Sequence, residues 1–85
     1  MDFLLKKEKT VIEVKMTRKG LDGKKIGEQL VIDIARYRAN PDCQTLLCFV
    51  YDPEGRIANP RGIEHDLNRE HNGLAVRVII APSGL

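Results

Sequence analysis

The chain has no tryptophan and only two tyrosines and two phenylalanines in 85 residues. Any core must therefore be built from aliphatic side chains. It has two cysteines, Cys43 and Cys48. They do not form a Cys-x-x-Cys pair and no histidine stands at ligand spacing from them. A cysteine-rich metal site is excluded, and buried free thiols are the expectation. No apolar run approaches the length of a membrane span, and no signal-peptide pattern opens the chain. A cytoplasmic protein without a membrane partner is expected. A glycine-rich phosphate loop, a Ser-His-Asp arrangement, internal repeats and low-complexity segments are also missing. The formal charge of +2 and pI near 8.7 are mildly basic, which is compatible with nucleic acid without requiring it.

What is present is a short chain with 42% hydrophobic residues, near the lower end of what folds alone. Residues 2–6 and 10–17 read as strands around a charged turn. A basic, glycine-containing connection follows over 18–25. Asp22 is a suitable N-cap for a helix running to about Ala39. Its apolar stripe uses Ile26, Leu30, Ile34 and Tyr37, widened by Val31 and Ala35, with Gln29 and Asp33 along one edge. Asn40-Pro41-Asp42 stops it. Leu46-Leu47-Cys48-Phe49-Val50, within a strand over 45–51, predicts burial on both faces. Asp52-Pro53-Glu54-Gly55 has the pattern of a β-turn. Asn59-Pro60 predicts a second helix to about His71, ended by Asn72-Gly73. Residues 74–81 form the last strand, and the tail beyond Ala81 is expected to fray. The order is β-β-α-β-α-β. It predicts an α/β (α+β) fold with a mixed sheet, antiparallel at the hairpin and parallel across the helical crossovers.

The first hairpin carries the chemistry. Side chains alternate along a strand, so Glu13 and Lys15 share a face with Val11, while Ile12, Val14 and Met16 take the other. A two-residue loop at Lys7-Glu8 and a four-residue loop over Lys6–Lys9 give the same register. Either sets Asp2 opposite Glu13, with Cβ atoms roughly 5 Å apart. Two carboxylates that close repel unless a cation lies between them. A divalent ion with oxygen ligands suits the gap, which points to Mg²⁺ or Mn²⁺. Lys15 lies roughly 7 Å along the strand from Glu13. It could orient a water or stabilise charge growing on phosphorus. An amphipathic hairpin with solvated charges is the structural alternative.

An aspartate, about ten residues and then Glu-Val-Lys, on consecutive strands before a helix, resembles the PD-(D/E)xK nuclease superfamily. Asp2-Phe3-Leu4-Leu5-Lys6, Val11-Ile12-Glu13-Val14-Lys15, the segment from Gly27 to Tyr37 and the run from Cys48 to Gly55 look like the C-terminal part of a DpnII/MboI-type restriction endonuclease-like domain. The resemblance spans nearly all of residues 1–85. It implies that Asp2 and Glu13 bind Mg²⁺ (or Mn²⁺), with the Val14 carbonyl facing the ion. It makes Lys15 the catalytic lysine and Gln29 a supporting helix residue. The superfamily core opens with a helix and a strand before the aspartate. The chain begins at Met1-Asp2, so the resemblance implies a single, partial domain lacking those elements.

Arg18, Lys19, Lys24 and Lys25 follow the Glu13-Val14-Lys15 strand, where they could contact DNA phosphates or form a solvated loop. Arg36 and Arg38 suit the first helix's C-terminal dipole. His65 and His71 are too far apart in register to share a helix face. Asp52 and Glu54 are expected to serve the turn. The expected function is metal-dependent hydrolysis of DNA. The rival is a noncatalytic module of the same fold used for DNA binding or self-association, with homodimerisation covering an incomplete sheet.

Overall fold

The computed structural model describes residues 2–82; the expected fraying at 83–85 lies outside them. The elements are β1 (Asp2–Leu5), β2 (Thr10–Met16), α1 (Gly23–Arg38), β3 (Thr45–Tyr51), α2 (Pro60–Leu67), β4 (Glu70–His71) and β5 (Leu74–Ala81). The sheet order is β1-β2-β3-β5-β4. β1–β2 and β4–β5 are antiparallel, and β2–β3 and β3–β5 are parallel. This mixed α/β architecture is compatible with a restriction endonuclease-like core.

Local chemistry accounts for the boundaries. The first hairpin has the four-residue loop: Leu5 pairs with Thr10, and Lys9 turns at φ 52°. The Lys9 carbonyl then accepts from the amides of Gln44 and Thr45, tying the turn to the entry of β3. Asp22 caps α1 by accepting from the Lys25 amide. Asn59 caps α2 by accepting from the Gly62 amide at 3.0 Å. A Cβ at Gly62 would crowd the Asn59 side-chain amide, so a larger residue there would have to displace the capping side chain.

The second helix is shorter than its sequence suggests. It ends at Leu67, and Asn72-Gly73 is not its stop signal but the loop of a β4–β5 hairpin. Both loop residues have positive φ, 49° and 92°, and His71 pairs with Leu74 across them. Asn-Gly is the preferred pair for a two-residue hairpin loop, because it tolerates positive φ at both positions. Beyond β4, side chains of α2 occupy the open edge of β5. Asn68 bonds both the amide and the carbonyl of Val78. Glu64 accepts from the Ile80 amide at 2.8 Å, and Arg61 donates to the Ile80 carbonyl at 3.1 Å. These contacts satisfy the backbone where another strand could otherwise pair.

Both crossovers run the same way across the sheet, β2 to β3 and β3 to β5. Right-handed crossovers progressing in one direction put their helices on one face. Val11, Leu46, Cys48, Val50, Leu74, Val76, Val78 and Ile80 accordingly pack with Ile26, Leu30 and Ile34 of α1. No element among the described residues covers the other face. The β3 run is buried on one side rather than two: Leu46, Cys48 and Val50 are covered, whereas Phe49 and Tyr51 are exposed. On α1 the stripe is also narrower than expected, since Val31 and Ala35 face solvent while Asp33 is buried.

The ends of β2 and β3 are joined by one buried carboxylate. Asp52 accepts from Thr17 Oγ1 at 2.6 Å, the Arg56 amide at 2.8 Å and the Ile57 amide at 3.0 Å. Burial alone would push its carboxyl up. The Thr17 hydroxyl and the two amides outweigh that and hold it below the usual carboxylate range. Asp52→Ala should lower unfolding stability by about 3 kcal/mol, because three donors lose a charged acceptor. Urea denaturation would check this; a loss below about 1 kcal/mol would show that water replaces the carboxylate.

Candidate active site

Asp2 lies opposite Glu13 in the β1–β2 register, on the helix-covered side of the sheet. Glu13 and Lys15 alternate with the outward Val14, and Cys48 is the β3 neighbour of Glu13. From above, α1 presents Gln29, Asp33, Arg36 and Tyr37, spaced to fall along one side of the helix. Glu13 is 3% exposed and Asp33 7%.

Lys15 is the hub. Its Nζ stands 2.6 Å from Glu13 Oε1 and 2.8 Å from Asp33 Oδ2, and it donates to Gln29 Oε1 at 3.5 Å. Arg36 Nη2 is 3.3 Å from Asp33 Oδ1 and 4.0 Å from Glu13 Oε2. The guanidinium also donates to Tyr37 Oη, which donates to Asp2 Oδ2 at 3.4 Å. Arg36 thus belongs to this cluster as well as to the helix C-terminus. Asp33 was visible in the sequence only as an edge residue of the stripe. The trace it left in the sequence was an acid between Ile32 and Ile34, one turn beyond Gln29; its burial is known only from the fold.

Protonation follows from burial and neighbours. Burial first, then the adjoining Asp33, pushes the Glu13 carboxyl up to about 7 against the pull of Lys15. Burial would also raise Asp33, but hydrogen bonds from Glu13 and Lys15 hold it low. Below about pH 7 the pair's proton therefore resides on Glu13, a division expected of close carboxylates. Burial opposes charge on Lys15, yet Asp33 and Glu13 together raise its pKa, so it is an ammonium. Burial, then the charge of Glu13, pushes the Cys48 thiol up to about 12. Both cysteines are free and buried.

The basic residues do not form one patch. Arg18 and Lys19 border a cavity of about 130 Å³ with Arg56 and Glu54 beyond the end of β2. Lys24 lines a separate hollow with Ile57 and Asn59. Lys25 is exposed on the first turn of α1.

A family model for the DpnII-MboI restriction endonucleases (REase_DpnII-MboI) matches residues 1–83. The chain belongs to this family. Its members are nucleases acting on DNA, typically with divalent metal ions. No curated protein and no solved structure matches the chain. Among the described residues, no three His, Cys, Asp or Glu side chains converge as a metal cage, and no helix is long and apolar enough to cross a membrane. The donor set nevertheless fits an ion completed by water and phosphate. Glu13 Oε2 is buried with no donor nearer than Arg36 Nη2 at 4.0 Å once its proton is lost, and Asp2 is the cross-strand neighbour of Glu13. Mg²⁺ sites commonly use one or two carboxylates with the rest supplied in this way.

The cluster predicts a pH signature in the metal-free protein. A carboxyl whose folded pKa is raised stabilises the fold fully below its unfolded value, here 4.5, and that contribution disappears as pH rises through about 7. Asp33, held low, loses its contribution only in more acidic solution. Urea-unfolding stability should therefore decline between these two pH values in the wild type and lose that component in Glu13→Gln. An identical pH profile in the variant would contradict the assignment.

Proposed function

We propose that the chain is a Mg²⁺-dependent endodeoxyribonuclease domain whose working groups are Asp2, Glu13 and Lys15, with Asp33 positioning the lysine. The observation that carries this reading is the Lys15 ammonium held between two buried carboxylates, one of them directly across the hairpin from Asp2. Asp2 and Glu13 would hold the ion, with the Val14 carbonyl beside it. The bound ion would polarise the scissile phosphate and lower the pKa of an attacking water.

The protein groups have separable tasks. Lys15 stays protonated, so it is no general base; it offers a fixed positive charge to the oxygens that become more negative in the transition state. Asp33 keeps that ammonium in place when Glu13 turns toward the ion. Arg36 holds Asp33, and Gln29 accepts from Lys15 on its exposed side. Arg18 and Lys19, just beyond the end of the same strand, would meet backbone phosphates flanking the cut, with Lys24 and Lys25 on the first turn of α1. Self-association through a noncatalytic module is the second reading, and the bare sheet face favours it.

Plasmid DNA should be cleaved in Mg²⁺ and not in EDTA. Glu13→Gln and Lys15→Ala should each reduce kcat by roughly a hundredfold or more, the scale of losing a charged transition-state contact. Asp33→Asn should lower kcat with KM little changed, and Asp33→Glu should recover part of the loss, a split that a merely structural acid would not produce. Cleavage that survives Glu13→Gln would reject these roles. Calorimetric Mn²⁺ binding, weakened by Asp2→Asn, provides a readout independent of turnover.

A further inference from the structure

The sheet face opposite the helices is apolar and continuous. In register across β2, β3 and β5 run the rows Val14–Phe49–Ile79 and Met16–Tyr51–Ala81, and Phe3 extends the surface from β1 beside Ile12. Phe3, Val14, Met16, Phe49, Tyr51 and Ile79 are each between 38% and 53% exposed. The charged side chains projecting from the strands on this side are Arg77, beside Leu47, and Glu70, opposite Ala75 on the short β4, so two-fold pairing can set unlike charges together around the apolar rows. At those exposures the six side chains amount to a patch at the top of the roughly 300–600 Å² range of a monomer's largest apolar patch, and Ile12 and Leu47 between them carry it toward the roughly 800 Å² that each partner contributes to a standard interface.

We propose that this face is the dimer interface of the protein and that its occupant is the same face of a second copy, packed sheet to sheet. Area and charge favour that occupant. A two-fold pairing brings each apolar row against an apolar row, at about the 10 Å spacing of stacked sheets. Pairing of sheet edges offers less. The β5 edge is occupied by Asn68, Glu64 and Arg61, and β1 spans only Asp2–Leu5. The face-to-face arrangement has a functional consequence. Glu13, Lys15 and Asp33 lie on the helix side of each sheet, so the two clusters face outward in opposite directions. The dimer carries two independent sites, each engaging its own DNA segment. The interface does not depend on the nuclease reading: the residue common to both is Val14, which gives its side chain to this face and only its backbone carbonyl to the proposed site.

Sedimentation velocity on the full chain, from low micromolar to a few hundred micromolar, should show a reversible monomer–dimer equilibrium. Tyr51→Lys at the margin and Phe49→Lys at the centre should each raise the dissociation constant by roughly tenfold or more, with circular dichroism unchanged. Val31→Lys, on the exposed side of α1, should leave it unaltered. A monomer at every concentration overturns the proposal; hydrophobic-dye binding to that monomer would assign the face to a different segment or partner. A dimer that persists in folded Phe49→Lys and Tyr51→Lys proteins, or that Val31→Lys dissolves, overturns it equally. DNA cleavage by the monomeric Tyr51→Lys protein separates this outcome from the fate of the proposed active site.

Discussion

The Lys15 ammonium between Glu13 and Asp33 is the contact on which both the architecture and the chemistry depend. It joins β2 to α1 through charge in a region otherwise sealed by aliphatic side chains. Two adjoining buried carboxylates without a cation would each carry a heavy desolvation cost. With the ammonium between them, one acid retains its proton and the other its charge. The same arrangement buries one oxygen of Glu13 with no close donor, on the residue paired across the hairpin with Asp2. A buried pairing of this kind is weak evidence for stability, since an apolar replacement could pack as well. It is better understood as a site kept ready at some energetic expense.

Topology decides how that site is presented. Two crossovers in the same direction place α1 and α2 together, so the carboxylate–lysine cluster lies beneath α1, with β1 uncovered alongside. The opposite surface is left to aliphatic and aromatic side chains that no element of the described chain covers. The carboxylate–lysine cluster and the apolar surface are thus separated by the thickness of one sheet, and occupation of one does not obstruct the other. Blockage of the β5 edge by α2 side chains steers association away from strand addition on that side.

Several features were legible in the residues themselves. Period-two alternation and the count of residues around Lys7-Glu8 fixed Asp2 opposite Glu13, because both candidate loop lengths preserve that register. Asp22 and Asn59 identified the helix starts, since their side chains satisfy amides that helices leave open. Asn72-Gly73 misled, because the same dipeptide can end a helix or close a hairpin; tertiary pairing of His71 with Leu74 selects the hairpin. The apolar run in β3 misled for a different reason. A continuous hydrophobic strand looks the same whether its second face meets a helix or nothing.

By itself, the chain determined the order of its elements apart from the short β4, the register of its first hairpin and the presence of Asp2, Glu13 and Lys15 on one side, all of which follow from local periodicity and turn chemistry. Only tertiary structure decided that Asp33 and Arg36 join them, that Glu13 retains a proton, and that one sheet surface stays bare. Those outcomes depend on where a helix lands after a long connection, and on burial and charge summed over elements far apart in sequence, which no short window of residues contains.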